Sequence, residues 1–281
     1  MKNVQRIQSK LVEADLDAIL IINEKNQRDA CGFPFTDGAV LVTRNQAYLF
    51  TDSRYIEAAG RSCGDDVRVC LFGSGAPLNG LLKKALEENN VTKLGAEEEA
   101  LSYARYLRYE ESLGMKLLPA HKLLAELRAA KTPHEQQCMR EAQAIAEKAL
   151  EDVLKIIRPG VTERDIAAEL TYRILKHGGE GNSFEPIAVT GKNTSMPHGV
   201  PGDTRGQAGD FVTMDFGCLH NGYCSDMTRT VAVGFATDEM KAVYGTVLRA
   251  QLAGISAAQA GIAGCEIDAA ARKVIDDAGY G

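Results

Sequence analysis

No run in this 281-residue chain approaches the roughly 20 consecutive apolar residues needed to cross a bilayer. The first apolar stretch, Ala18 to Ile22, is too short for a signal peptide and is preceded by acids. Positive charge is not in surplus either. The net charge is −6, so no basic surface argues for nucleic acid or an anionic membrane as a partner. The seven cysteines (Cys31, Cys63, Cys70, Cys138, Cys218, Cys224 and Cys265) are odd in number and scattered, with none at C-x-x-C spacing. A reduced, cytoplasmic protein is the expectation. Cys218 and Cys224 flank one turn and are the only pair placed to cross-link locally, which a reducing compartment disfavours. No glycine-rich loop leads a strand into a helix. The nearest candidate, GSGAP at 73–77, lacks a following Lys-Ser/Thr and reads as a turn. Internal repeats and low-complexity segments are also missing.

What is present is ordinary globular composition, 45% apolar and 25% charged, over a length that suits two domains or one large one. Residues 1–130 alternate strand and helix patterns. Helices are expected near 4–14, from 54, at 78–88 and at 103–112. Strands are expected at 17–22, 38–42, 47–50, 67–71, 93–95 and 117–118. That alternation predicts an α/β unit with a mixed sheet and helices packed on it. A boundary falls near Lys131, where Thr132-Pro133-His134-Glu135 has the form of a helix start. The helix it opens carries an apolar stripe at Met139, Ala142, Ala146, Ala149, Val153 and Ile156 and stops at Arg158-Pro159-Gly160. A second helix begins with Thr162 as cap and Asp165 three residues on, and should lie beside the first. Beyond it come a short strand at 187–190, a loop rich in Gly, Pro, Asn and Ser, a hairpin at 211–233, and helices at 238–260 and 266–278.

The hairpin is where chemistry concentrates. Asn221-Gly222 is the signature of a type I′ turn, which needs positive φ at both central residues. With those two residues as the loop, His220 faces Tyr223, Asp215 faces Thr228, and Asp226 lies one diagonal step away. With the loop shifted to His220-Asn221, Asp215 faces Asp226 directly. Either register sets both carboxylates on one face. Like charges so placed repel unless a cation neutralises them, and oxygen-only ligation suits divalent ions such as Mn²⁺, Co²⁺ or Zn²⁺. The plainer reading is two solvated acids. Thr228, two residues after Asp226, shares that face and is placed to orient a carboxylate. In the loop before the hairpin, His198 sits between Pro197 and Gly199, which restrict and then free the backbone and so aim one side chain. An imidazole there can hold or relay a proton.

MPHG at 196–199, GDFVTMDFG at 209–217 and NGYCSDMTRT at 221–230 closely resemble the motifs of the pita-bread metallopeptidases. That family comprises Xaa-Pro aminopeptidases, Xaa-Pro dipeptidases (prolidases), methionine aminopeptidases and the non-peptidase creatinases. The gaps of 17 residues from His198 to Asp215 and 11 from Asp215 to Asp226 are similar to the family's spacing. FPFTDGAVLVTRNQAYLFTDSRYIEAA at 33–59 resembles the creatinase-type amino-terminal domain, which favours the proline-specific branch or creatinase over a plain methionine aminopeptidase. The resemblance implies an α/β N-terminal domain over 1–130 and an α+β pita-bread catalytic domain over 131–281, of which the first half and two helices are present. It implies two divalent metal ions, with Mn²⁺ favoured over Co²⁺ or Zn²⁺. Asp215 would chelate one ion and Asp226 bridge both. His198 would meet the substrate beside the scissile bond, and a metal-bridging hydroxide would attack the carbonyl before proline. Proline-containing peptides or Xaa-Pro dipeptides are the implied substrates, and a homodimer through the N-terminal domain the implied assembly. The family completes its metal site with a histidine and two glutamates further along, and has a second histidine near the substrate. The sequence stops short of them, holding two of five expected ligands. The expectation is therefore a chain that, as 1–281, lacks peptidase activity. Two other readings remain: a scaffold or dimerisation module, and a creatinase-like C–N hydrolase that uses no metal.

Overall fold

A strand that is apolar on both sides must be covered on both faces, and the first part of the chain meets that demand. In the computed structural model, which describes residues 3–281, the chain divides into two units, 1–134 and 135–281. The first contains α1 (Asn3–Glu13), β1 (Ala18–Ile21), α2 (Glu24–Cys31), β2 (Ala39–Thr43), β3 (Ala47–Thr51), α3 (Ile56–Ser62), β4 (Val67–Leu71), α4 (Leu78–Glu88), β5 (Leu94–Ala96), α5 (Tyr103–Leu113), β6 (Leu117–Pro119) and α6 (His121–Ala129). Its six strands form one mixed sheet in the order β4-β3-β2-β1-β5-β6, with β1-β2 and β2-β3 antiparallel and the rest parallel. Side chains of β1 to β3 alternate between two cores. Ile19, Ile21, Val40, Val42 and Leu49 pack with α1, α2, α3 and α6, while Leu20, Leu41, Tyr48 and Phe50 pack with α4 and α5. Helices on both faces explain the unbroken apolar runs of these strands.

Two helices of this unit, α2 and α6, go beyond the sequence expectation. α2 has no apolar stripe because it buries polar side chains, Asn26 and Gln27. Asn23 caps it, accepting N–H bonds from Lys25 and Asn26. The fully buried Glu97 holds its start by accepting from the Asn23 N–H (2.8 Å) and from the Asn26 amide. α6 follows β6 after a single residue, Ala120, so no turn residues announce it.

The second unit opens with two helices, α7 (Pro133–Val153) and α8 (Glu163–Lys176). Their facing sides share one core: Ala142, Ala146, Ala149 and Val153 with Ile166, Leu170 and Ile174. The stripe differs from expectation at both ends: Cys138 is buried and Met139 exposed at the start, and the helix ends at Val153, so the half-buried Ile156 lies beyond it. The Thr162–Asp165 capping box of α8 forms in both directions. Asp152 of α7 accepts hydrogen bonds from Arg173 (3.1 Å) and, where the ring nitrogen carries the proton, from His177 (3.0 Å), pinning the helices together beyond the core. Then follow β7 (Gly181–Asn182), β8 (Ile187–Thr190), a 3-10 turn at 191–195, β9 (Phe211–Phe216), β10 (Cys218–His220), β11 (Tyr223–Cys224), β12 (Met227–Ala232), α9 (Asp238–Ala257) and α10 (Gly264–Asp277). The strands pair as two small sheets, β11-β10-β7 and β12-β9-β8.

Candidate metal centre

Asn221 (φ 49°) and Gly222 (φ 77°) both take the left-handed conformation that a type I′ turn requires. The register is the one with those two residues as the loop. His220 pairs with Tyr223, and Asp215 with Thr228. The alternative, Asp215 directly opposite Asp226, does not occur. One register runs the length of the hairpin, yet the ladder is interrupted in the middle, so two continuous strands become four short ones. Gly217 is the cause. A Cβ there would lie 1.9 Å from the Ser225 carbonyl oxygen, so only glycine lets the strands cross this closely. Ser225 fills the gap by donating its N–H to the Cys218 carbonyl and accepting the Cys218 N–H on its hydroxyl (3.0 Å).

The two faces of β9 and β12 differ sharply. Val212, Met214, Phe216 and Met227 enter the core with Ala188 of β8. The opposite face is a polar stripe. Thr213 and Thr230 share a hydroxyl hydrogen bond of 2.9 Å. In the next row the Thr228 hydroxyl donates to Asp215 Oδ1 at 3.0 Å. Strand alternation from Thr228 sets Asp226 on the same side, opposite Gly217. Asp226 is exposed, and its carboxylate has no hydrogen-bond or ion-pair partner among the described residues. The cysteines flanking the turn point to opposite faces, because Cys218 shares a face with Ser225 and Cys224 with Leu219. Both are free thiols, and burial pushes Cys218 up to about 11.

His198 lies in a tight turn closed by the Gly199 N–H on the Met196 carbonyl (3.1 Å), with Pro197 and His198 as its central residues. Gly199 is buried, and a Cβ on it would lie 2.8 Å from the Val189 side chain of β8. The turn is thereby seated on β8, at the residue paired with Thr213. The imidazole itself is exposed and makes no hydrogen bond among the described residues, so no bond joins it to either acid. Sequence reasoning missed Glu163, whose buried carboxylate lies under this loop. Its position two residues before Asp165 reads only as an acid in a first helical turn.

The donor set can be compared with what a divalent cation needs. Two carboxylates on one exposed polar face, one oriented by a hydroxyl and one free, fit a hard or borderline ion in kind. In number they fall short. Among the described residues no group of three or more His, Cys, Asp or Glu side chains is placed to hold a metal.

Residues 137–281 match Metallopeptidase family M24, and residues 3–130 match the Creatinase/Prolidase N-terminal domain. Among curated proteins, the chain is 33% identical over 282 residues to an uncharacterised peptidase of Bacillus subtilis, covering 99% of this chain and 78% of that protein. It is 35% identical over 266 residues to a putative Xaa-Pro aminopeptidase of Mycoplasma genitalium, covering 94% of this chain and 73% of that protein. Among solved structures, an Xaa-Pro dipeptidase from Bacillus anthracis superposes with a TM-score of 0.92 at 37% identity, over 100% of this chain and 78% of that one. An X-Pro aminopeptidase from Thermotoga maritima gives 0.89 at 32%, over 97% of this chain and 78% of that one. With both units matched in order, the chain belongs to metallopeptidase family M24 and carries the creatinase/prolidase type of N-terminal domain.

Proposed function

We propose that Asp215, Asp226 and His198 form part of a site for metal-dependent hydrolysis of the peptide bond before proline, either releasing an N-terminal residue or splitting an Xaa-Pro dipeptide. The observation that carries the reading is the polar stripe of the hairpin, where strand alternation sets Asp226 on the face of Asp215 and Asp226 has no hydrogen-bond or ion-pair partner among the described residues. Asp215 and Asp226 are the residues that would hold divalent ions, Mn²⁺ first, with Co²⁺ and Zn²⁺ as alternatives. Thr228 keeps Asp215 turned toward them through its 3.0 Å hydrogen bond. When bound, such ions acidify a water molecule and polarise the scissile carbonyl. His198, held out by its Pro-Gly turn, meets the substrate and holds or passes a proton at a ring nitrogen. The retained acids favour this reaction over a metal-free C–N hydrolysis. A cytoplasmic setting belongs to the reading, in keeping with an odd number of scattered cysteines, none at C-x-x-C spacing. No helix among the described residues is long and apolar enough to cross a membrane.

The test joins these residues to the further histidine and glutamates that the family resemblance implies, in a polypeptide that hydrolyses an Xaa-Pro peptide with Mn²⁺. There D215N or D226N is expected to lower kcat/KM by about 100-fold or more. Full activity in both variants would overturn the proposal. Pairing of two copies through residues 1–134 is the assembly we expect, and sedimentation velocity of the purified chain checks it. A monomer at all concentrations would count against it.

A further inference from the structure

Glu163 is 1% exposed, and its carboxylate gathers donors from both sides of the His198 turn. Oε1 accepts the Thr190 N–H (2.8 Å), at the end of β8, and the Asn193 side-chain amide (2.8 Å), in the 3-10 turn that leads to His198. Oε2 accepts the Gly202 N–H (3.0 Å), just after it. The backbone repeats the grip. The Glu163 N–H donates to the Thr204 carbonyl (3.1 Å) and the Arg164 N–H to the Gly202 carbonyl (3.0 Å). One buried anion at the start of α8 thus fixes where the segment 191–201 leaves the sheet and where it comes back to α8. Between those anchors, the turn holding His198 is tied by the Met196 N–H to the Asn193 carbonyl (3.0 Å) and seated where Gly199 meets Val189.

We propose that Glu163 is the positioning residue for His198, setting the place of the imidazole through the loop rather than by contact. This rests on the reading of His198 as the substrate-facing group. Three donors converge on two acceptor oxygens, so glutamine is a poor substitute. Whichever way its amide turns, an NH₂ faces either the Gly202 N–H or the Thr190 and Asn193 donors. A residue that only added stability would shift the unfolding midpoint and leave the native position of His198 alone.

The experiment records the imidazole NMR signals of the intact chain, with His198 assigned through H198Q, together with amide hydrogen exchange, in wild type, E163Q and N193A. E163Q is expected to move or broaden the His198 signal and to speed exchange at Thr190 and Gly202 by about 10-fold or more. Val212 and Met214 in β9 should keep their protection. N193A, which removes one donor and leaves the carboxylate, is expected to shift the His198 signal less and to leave Gly202 unchanged. It decides the matter alone if E163Q does not fold. A His198 signal unmoved in the folded variants overturns the proposal, even if their midpoints fall. Neither readout needs metal or substrate. Failure of the peptidase reading would leave the clamp standing, and an unclamped loop would leave the metal reading standing.

Discussion

At the scale of single residues, Thr228 separates orientation from ligation. Its hydroxyl donates to Asp215 Oδ1, which orients the carboxylate and leaves the other oxygen without a hydrogen bond among the described residues. Valine has the same shape without the donor. T228V is expected to weaken Mn²⁺ binding about 10-fold, with T228S keeping most of it. Paramagnetic broadening of the β9 and β12 amides during a Mn²⁺ titration measures this even when binding is weak. Equal titrations for T228V and wild type would remove Thr228 from the site. The pairing of Thr228 with Asp215 was one of two registers the sequence allowed, and the Asn-Gly loop decides it. Glu163 was not legible. Its partners lie 27 and 39 residues further along the chain, and nothing local to a first-turn glutamate reveals that the chain returns to it.

At the scale of elements, readability followed how much each segment depends on its own sequence. α8 announced itself through its capping box, whereas α2 is polar and exists because Glu97, some seventy residues on, accepts its first donors. The hairpin was readable in its turn, narrowed to two registers, and unreadable in continuity, since Gly217 marks the break only once Ser225 is seen against it. The α7–α8 pair carries a pH signature. Hydrogen bonds from Lys155 and His177 and the charges of Lys155 and Arg173 hold Asp152 down to about 2, against an ordinary 3.8. A carboxyl depressed by folding stabilises the fold fully above its unfolded pKa and loses that contribution as pH falls through the folded one. The Asp152 contribution should therefore be complete above about pH 4–5 and fade toward pH 2. D152N is expected to melt at a lower temperature than wild type at pH 7, with the difference shrinking as pH falls from 4 to 2. Thermal melts across that range check it, and a constant difference would assign the effect to packing instead.

At the scale of the whole chain, surface and ligand count lead to the same expectation. β12 forms one edge of its sheet, with no strand beyond it among the described residues. α9 buries only Thr246 and Ala250, while Val247, Leu248, Leu252 and Ile255 are each about half exposed or more. These side chains leave α9 with exposed apolar positions along its length. The hairpin, for its part, presents two carboxylates where a pair of bridged ions needs more donors. Two acids alone would hold a divalent ion weakly against competition from water and would leave its geometry open. The polypeptide 1–281 is therefore expected to show no hydrolysis of an Xaa-Pro peptide above the buffer rate, with Mn²⁺, Co²⁺ or Zn²⁺ supplied in excess. It should also retain less than one ion per chain after desalting. Product release followed by chromatography, with metal content by elemental analysis, gives both numbers from one preparation. Turnover by 1–281 that is lost in D215N would mean that the site is completed by groups outside the hairpin, and would send the search for ligands to the surfaces around β12 and α9.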